Sequence, residues 1–537
     1  MTFKTIKTTN ENAKICSVPG LKYFLIIRSN IIVLLYHGII ISQNIIMWIE
    51  NELKKDAEHI QESIHALSSN YHSKLAQKSI RTRMRENKEN TTRFFTHFYE
   101  LLRKAEYDIY KRFAVLHEEA RNGGEELTYE MNEVRNSAND LPHPRLLSEL
   151  YQEYERNVGG RYRWNANRSN NGDDADDDAD DAAKHRYIPY KIYCYIREKS
   201  EYCIRFQHTV RGRLFTLYFI TFPESHVSLC NKSSTTSLLC RSEIAVYQRY
   251  AYKVFIWLSM VSQMSDVECS SKLDIYFYMT PFKKTRPSVS VDQDSDAAIL
   301  SAIHVNTGLT RNCERHGEVV VYRAEEWFKV FIHESIHNFN IDFIDSDLRG
   351  ANTRLRESFC IPHGDVLLFE AYTESWARII NIMLNTYFEN DRANFIRIVR
   401  EKLTKNAFFH LYQLVKSLDV MNLKYSQITV LTPENMSVCR KRYAEDTNVY
   451  AYYIFGGILS AFALPFICWC CDHNSASVIR FKQTDKNLHD FTDLICDASR
   501  DPILLSMVEY IEKVSSQSES SRMIHPVLKK TMRMTLE

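Results

Sequence analysis

From Tyr23 to Ile49 the chain is almost continuously apolar, interrupted by Arg28, Asn30, His37, Gln43 and Asn44. About 20 apolar residues are needed to span a bilayer. A membrane anchor over 31–49 is therefore considered, but the polar interruptions disfavour it, and no small-residue cleavage site marks a signal peptide. Residues 1–49 form an apolar N-terminal segment. Over 50–160 the pattern turns polar, with Phe94, Phe98, Leu101 and Leu102 recurring at helical spacing. This predicts a helical module, interrupted at Gly123-Gly124 and Leu141–Pro144, suited to scaffolding or regulation more than to chemistry.

Residues 161–186 contain the tract "NANRSNNGDDADDDADDAAK", Asn165 to Lys184. Its clustered aspartates repel one another and bring no apolar surface to bury, so a disordered acidic linker is expected. A calcium loop is disfavoured: no Glu closes one, and Gly172 precedes the acids.

The pattern changes again over 187–537. "YKIYCYI", "YCIRFQHTV" and "LFTLYFITF" are β-branched and aromatic runs separated by turn residues, and predict strands. A helix is expected near Glu243–Met264, then strands at "LDIYFYM" and Ala302–Thr307. Beyond Glu325 helical periodicity dominates. Strands followed by helices define an α+β class, a mixed sheet with helices packed upon it. The stretch 449–471 has no charge across 23 residues. Gly456-Gly457, Pro465 and its tyrosines favour a buried, broken core helix over a membrane span.

Composition narrows the functional classes. The chain has 537 residues, 45% hydrophobic and 12% aromatic, with a net charge of +1, which is enough for a large core and gives no basic surface for nucleic acid. The 13 cysteines are odd in number and irregularly spaced. That suits unpaired, mostly buried thiols in a reducing compartment, and "CWCC" at Cys468–Cys471 is read the same way.

The chemistry concentrates in "VFIHESIHNFNIDF", Val330–Phe343. On an α-helix, residues four apart differ by only about 40° and about 6 Å of rise. His333 and His337 would therefore aim both imidazoles at one metal ion. Glu334 flanks that point as a general base without ligating. An HExxH arises by chance in roughly a few per cent of chains of this length, so a third ligand carries weight. The metzincin continuation is absent, since Asn340 and Phe343 stand at its Gly and His positions. In "LLFEAYTESWARIINIML", Leu367–Leu384, Glu370 and Glu374 share one face of an apolar helix. Buried carboxylates need partners, and a metal with its histidines would supply them. His363 lies between the two motifs, a rival ligand or a transition-state donor. Tyr372 is a further candidate donor.

These motifs resemble the gluzincin class of zinc metallopeptidases, in which an acidic pair follows the HExxH helix. The resemblance implies a zincin-like domain over 187–537, Zn2+ as cofactor, Glu370 as third ligand, and Glu374 as the carboxylate orienting a ligand histidine. Glu stands at 374 where Asp is commoner. The chain also resembles HExxH proteins of large double-stranded DNA viruses, through "HVNTGLT", "VVVYRAEEWFKVFIHESIHNFNIDF", "FEAYTESWA", "TNVYAYYIFGGIL" and "TMRMTLE". That family's activity is itself inferred. The expectation is an intracellular zinc endopeptidase acting on peptide or protein substrates, in host cytoplasm or virion. The alternative is an inactive zincin-fold structural or assembly protein of a virus. An extended substrate would lie along an edge strand, at Ile299–Thr307 in preference to Glu318–Tyr322.

Overall fold

A computed structural model describes residues 2–4, 14–17, 23–28, 31–36, 40–75, 82–121, 129–133, 141–142, 144–149, 188–222, 241–287, 298–362, 364–389, 392–474, 477–516 and 524–536. The acidic tract 165–184 and His363 lie outside them.

The apolar N-terminal run is divided between strand and helix. β1 (Thr2–Lys4), β2 (Lys14–Ser17), β3 (Tyr23–Arg28) and β4 (Ile31–Tyr36) form an antiparallel meander, and α1 begins at Ile40 and ends at Leu75. Residues 31–49 thus do not make one helix. No single helix among the described residues is long and apolar enough to cross a membrane. Within 449–471, a π-helical turn (Tyr450–Phe455) and its α-helical continuation to Ala461 meet a helix over Ala463–His473 at a bend of 91°. Most of this pair is buried.

A second, mixed sheet organises the rest. α2 (Lys88–Arg121) precedes β5 (Tyr129–Glu133), and α3 (Tyr190–Lys199) leads into β6 (Tyr202–Val210) and β7 (Arg213–Thr221). α4 (Arg241–Val261) connects to β8 (Lys272–Tyr278). Then come α5 (Ala302–Val305), β9 (Gly308–Thr310) and β10 (His316–Val321). The strand order is β5-β6-β7-β8-β10-β9. β7, β8 and β10 are parallel, while β5, β6 and β9 run antiparallel to their neighbours. The molecule is α+β, with helices continuing over most of the remaining length.

Two expected strands are helical. "YKIYCYI" forms α3 because its buried residues, Ile192, Tyr193 and Ile196, follow a helical repeat, and Pro189 O accepts the first free N–H groups. Ala302–Val305 also turns as a helix. Ser301 and His304 cap it, and Arg323 donates to the carbonyls of Ile303 and Asn306. The edge strand consequently starts at Gly308 rather than within Ile299–Thr307. Glu318–Tyr322 is no edge, since β10 is paired on both sides.

The region 50–160 is also not purely helical, for β5 extends the main sheet by pairing Tyr129–Glu133 with Tyr202–Phe206. Nor do its helices stand apart. Phe94, Phe95, Phe98 and Leu102 of α2 belong to the same buried cluster as the second half of the chain, with Phe94 tilted on Trp376 at 5.6 Å. Asp501 accepts the N–H groups of Arg83 and Met84, and His59 of α1 stacks on His525 at 4.0 Å. The apolar core therefore extends across the linker expected at 161–186. Phe95→Ala is expected to cost about 3–5 kcal/mol, as at any filled core position. Chemical denaturation would check it; a loss below about 1 kcal/mol would mean that α2 is loosely docked.

Parallel pairing of β8 with β10 sets Lys272 beside His316. The turns ahead of those strands are then adjacent, and Cys269 and Cys313 form a disulfide with Cα atoms 4.4 Å apart. This corrects the expectation of unpaired thiols for one pair, which irregular spacing could not disclose. Cys468, Cys470 and Cys471 are free thiols.

Candidate metal centre

α6 (Trp327–Asn338) carries the HExxH residues and is buried along nearly its whole length. Trp327 packs on Tyr250 and Phe277, and Trp257 Nε1 donates to Ser335 Oγ at 2.7 Å, holding α6 to α4 and the sheet. At its C-terminal end the Asn338 amide donates to Thr310 Oγ1 and to the Arg311 carbonyl, both at 3.1 Å. The helix is thus pinned lengthwise against the edge strand β9. Glu325 and Glu326 lie just before it, with Glu326 at the cap in the left-handed region (φ 59°). Both are buried. Glu326 binds the Lys284 ammonium at 3.0 Å, and Glu325 accepts the Lys284 N–H.

After the short α7 (Arg349–Arg356), α8 (Leu368–Phe388) lies across α6 and presents Glu370, Glu374 and Arg378 at successive four-residue steps. His333 Nε2, His337 Nε2 and Glu370 Oε2 converge. The two nitrogens are 3.1 Å apart, and each is 3.2 Å from the carboxylate oxygen. Glu374 Oε2 is 3.0 Å from His333 Nδ1, so it accepts that ring N–H, and Asp342 does the same for His337 Nδ1. Both carboxylates are themselves anchored. Lys329 Nζ donates to both Glu374 oxygens at 2.9 Å, Arg378 Nε donates to Oε1 at 2.9 Å, and Thr373 donates to Asp342 at 3.0 Å.

The consequence is chemical. With Nδ1 carrying the proton on each ring, both Nε2 atoms hold lone pairs, and so does Glu370. Three acceptors about 3 Å apart repel unless a cation sits among them. Tetrahedral ligands at about 2.0–2.1 Å from zinc lie roughly 3.3 Å from one another, close to these separations. Among the described residues, His333, His337 and Glu370 are the group whose ligand atoms lie close enough together to hold a metal ion. The surrounding anions favour positive charge at this point, whether it is carried by protonated imidazoles or by a cation. Burial lowers both histidine pKa values, but hydrogen bonds to Glu370 and Glu374 raise that of His333, and the charges of Asp342 and Glu370 raise that of His337 well above its ordinary value. Burial, opposed by the histidines, raises the Glu334 pKa.

These groups line a cleft of about 260 Å³. β9 forms one wall. Leu309 pairs with Val320 and Thr307 O accepts from Tyr322 N, so the ladder's alternation turns the N–H and C=O of Gly308 and Thr310 away from β10. Gly308 is required by close approach: a Cβ there would meet Val330 Cγ1 at 2.7 Å and Glu334 Oε1 at 2.8 Å. Asn448 and Tyr452 also line the cleft. Asn448 Nδ2 donates to Glu370 Oε1 at 3.4 Å, and the Tyr452 ring lies 5.9 Å from that of His333. Burial, and then the Glu370 charge, hold the Tyr452 phenol well above its ordinary pKa, so it remains a donor.

The structure thus brings together His333, Glu334, His337, Glu370 and Glu374. Tyr372 is elsewhere: it is fully buried, and its hydroxyl donates to Ile479 O at 2.7 Å. It faces the helical core because α8 turns Tyr372 about 200° from Glu370, two residues away. Asp342, Lys329, Asn448 and Tyr452 were not foreseen. Lys329, one helical turn before His333, and Asp342, five residues after His337, were visible as charges beside a buried motif. Asn448 and Tyr452, 78 and 82 residues beyond Glu370, had no spacing signal. Comparison with family models, with curated proteins and with solved structures returns no match.

Proposed function

We propose that the chain is a zinc-dependent endopeptidase with a zincin-like arrangement of edge strand and metal helix. The observation that carries this reading is the triad of mutually facing acceptors, His333 Nε2, His337 Nε2 and Glu370 Oε2, each imidazole locked by a buried carboxylate. Two nitrogens and one carboxylate oxygen suit zinc with an open position. Bound there, zinc would acidify a water and polarise the substrate carbonyl.

The chain's own residues supply the rest. The outward N–H and C=O of Gly308 and Thr310 pair with an extended peptide and lay it over the HExxH helix. Glu334, beside Gly308, takes the proton of the water as its oxygen bonds to the carbonyl carbon. The same carboxyl returns the proton to the departing amine nitrogen as the C–N bond breaks, and once the second proton of the water follows it the products are a carboxylate and an ammonium. Tyr452 and Asn448, which also line the cleft, serve as donors to the developing oxyanion. Intact Glu334 favours this over an inactive assembly protein.

The test is metal content and stability of the full chain. Wild type should purify with about one zinc and gain thermal stability when zinc is added to the stripped protein. His333→Ala should do neither. Equal metal content in the two proteins would overturn the reading.

A further inference from the structure

The cleft has two chemically different ends, ordered along α6. Toward His337 it is bounded by Asn312, Ile344, Leu367 and Phe369. Toward the helix N-terminus, beyond Val330, its walls are Lys284, Lys329, Val305 and Met534. Direction along the cleft follows from β9. Gly308 abuts Val330 and Glu334, and Thr310 is bonded by Asn338, so β9 and α6 run the same way. A peptide added antiparallel to β9, the slightly more stable pairing, therefore runs against α6. Its residue following the scissile bond points to the Lys284–Lys329 end.

That end carries an excess of positive charge. Lys284, Lys329 and Arg378 are bonded there to only two carboxylates, Glu326 and Glu374. Arg533 and Glu325 nearby balance each other. The Lys284 ammonium is 1% exposed, and one of its three donors is engaged, by Glu326 at 3.0 Å. It is held from behind by residues near the C-terminus: Met532 N donates to Lys284 O, and Met534 N donates to Glu326 Oε1. Met534 Sδ lies 4.0 Å from Lys329 Nζ. The pocket is thus prebuilt, with rigid cations and an apolar collar of Val305, Val330 and Met534.

We propose that this pocket selects a carboxylate side chain, Glu or Asp, on the substrate residue immediately following the scissile bond, with Lys284 as the specificity-determining residue. The proposal rests on the metallopeptidase reading. An acidic side chain fills the unused donors of a buried ammonium, and an aliphatic one leaves them unfilled, a cost that makes such discrimination steep.

The test uses binding, not turnover, on the zinc-loaded full chain. Two succinyl-type hydroxamates that differ only in the side chain entering this pocket, carboxyethyl in one and isobutyl in the other, are titrated by calorimetry. Acetohydroxamate is the control. Wild type is expected to bind the carboxyethyl compound about tenfold tighter or more, the scale of one charged hydrogen bond. In Lys284→Met/Glu326→Gln, which removes both charges together, the ratio should fall to within roughly twofold, while Lys284→Arg should keep it. Isobutyl binding as tight or tighter in wild type, or a ratio that survives in the double variant, overturns the subsite alone. Failure of all three hydroxamates to bind overturns the metal reading and the subsite with it.

Discussion

Replacing Glu334 with Gln is expected to leave zinc bound and the fold intact while peptide hydrolysis falls by about 10²–10⁴-fold. The reason is positional. Glu334 lines the cleft beside Gly308, separate from the three converging ligand atoms, so the substitution removes a proton acceptor without touching the metal shell. Gln preserves the shape that packs against Gly308, which leaves loss of basicity as the cause of lost rate. Peptide-library digestion comparing wild type, the variant and a chelated sample is the measurement. Cleavage that survives in Glu334→Gln would assign the base elsewhere. Equal, negligible turnover in all three, with zinc bound before chelation, would favour the inactive assembly protein.

Glu370→Gln should act in the opposite sense, on the metal before the chemistry. Zinc affinity is expected to fall by roughly an order of magnitude or more. Glu370 places one oxygen 3.2 Å from both imidazoles, and the histidines hold its pKa far below the ordinary carboxylate range against the effect of burial. An amide lacks that charge and offers a poorer ligand. Competition with a chromophoric chelator gives the affinity directly, and His363→Ala serves as the comparison. Metal lost only in His363→Ala would mean that the third ligand comes from the segment between the two motifs.

Much of the centre was legible because it rests on short-range helical geometry. Residues four apart on one helix face the same way wherever the helix is packed, so His333 with His337 and Glu370 with Glu374 could each be paired from spacing. The edge strand was missed by a few residues. Ala302–Thr307 is apolar enough for a strand, but Arg323 and the Ser301–His304 cap bend its first half into a turn. The docking of the N-terminal helices was not legible for a related reason. A helix with one apolar stripe does not reveal which surface will cover that stripe, and α2 found its cover on α4 and Trp376.

By itself, then, the sequence determined an α+β chain with a helix able to aim two imidazoles at one point, and a second helix carrying two acids on one face. Only the tertiary structure decided that these helices cross, that Glu370 meets both Nε2 atoms, and that Asp342 and Glu374 hold the other nitrogens. It alone brought Gly308, Asn448 and Tyr452 around the centre and buried residues near the C-terminus behind Lys284. The physical reason is range. Backbone geometry repeats every few residues and is encoded locally, whereas burial of apolar faces and pairing of buried charges are settled by whichever distant segments pack together.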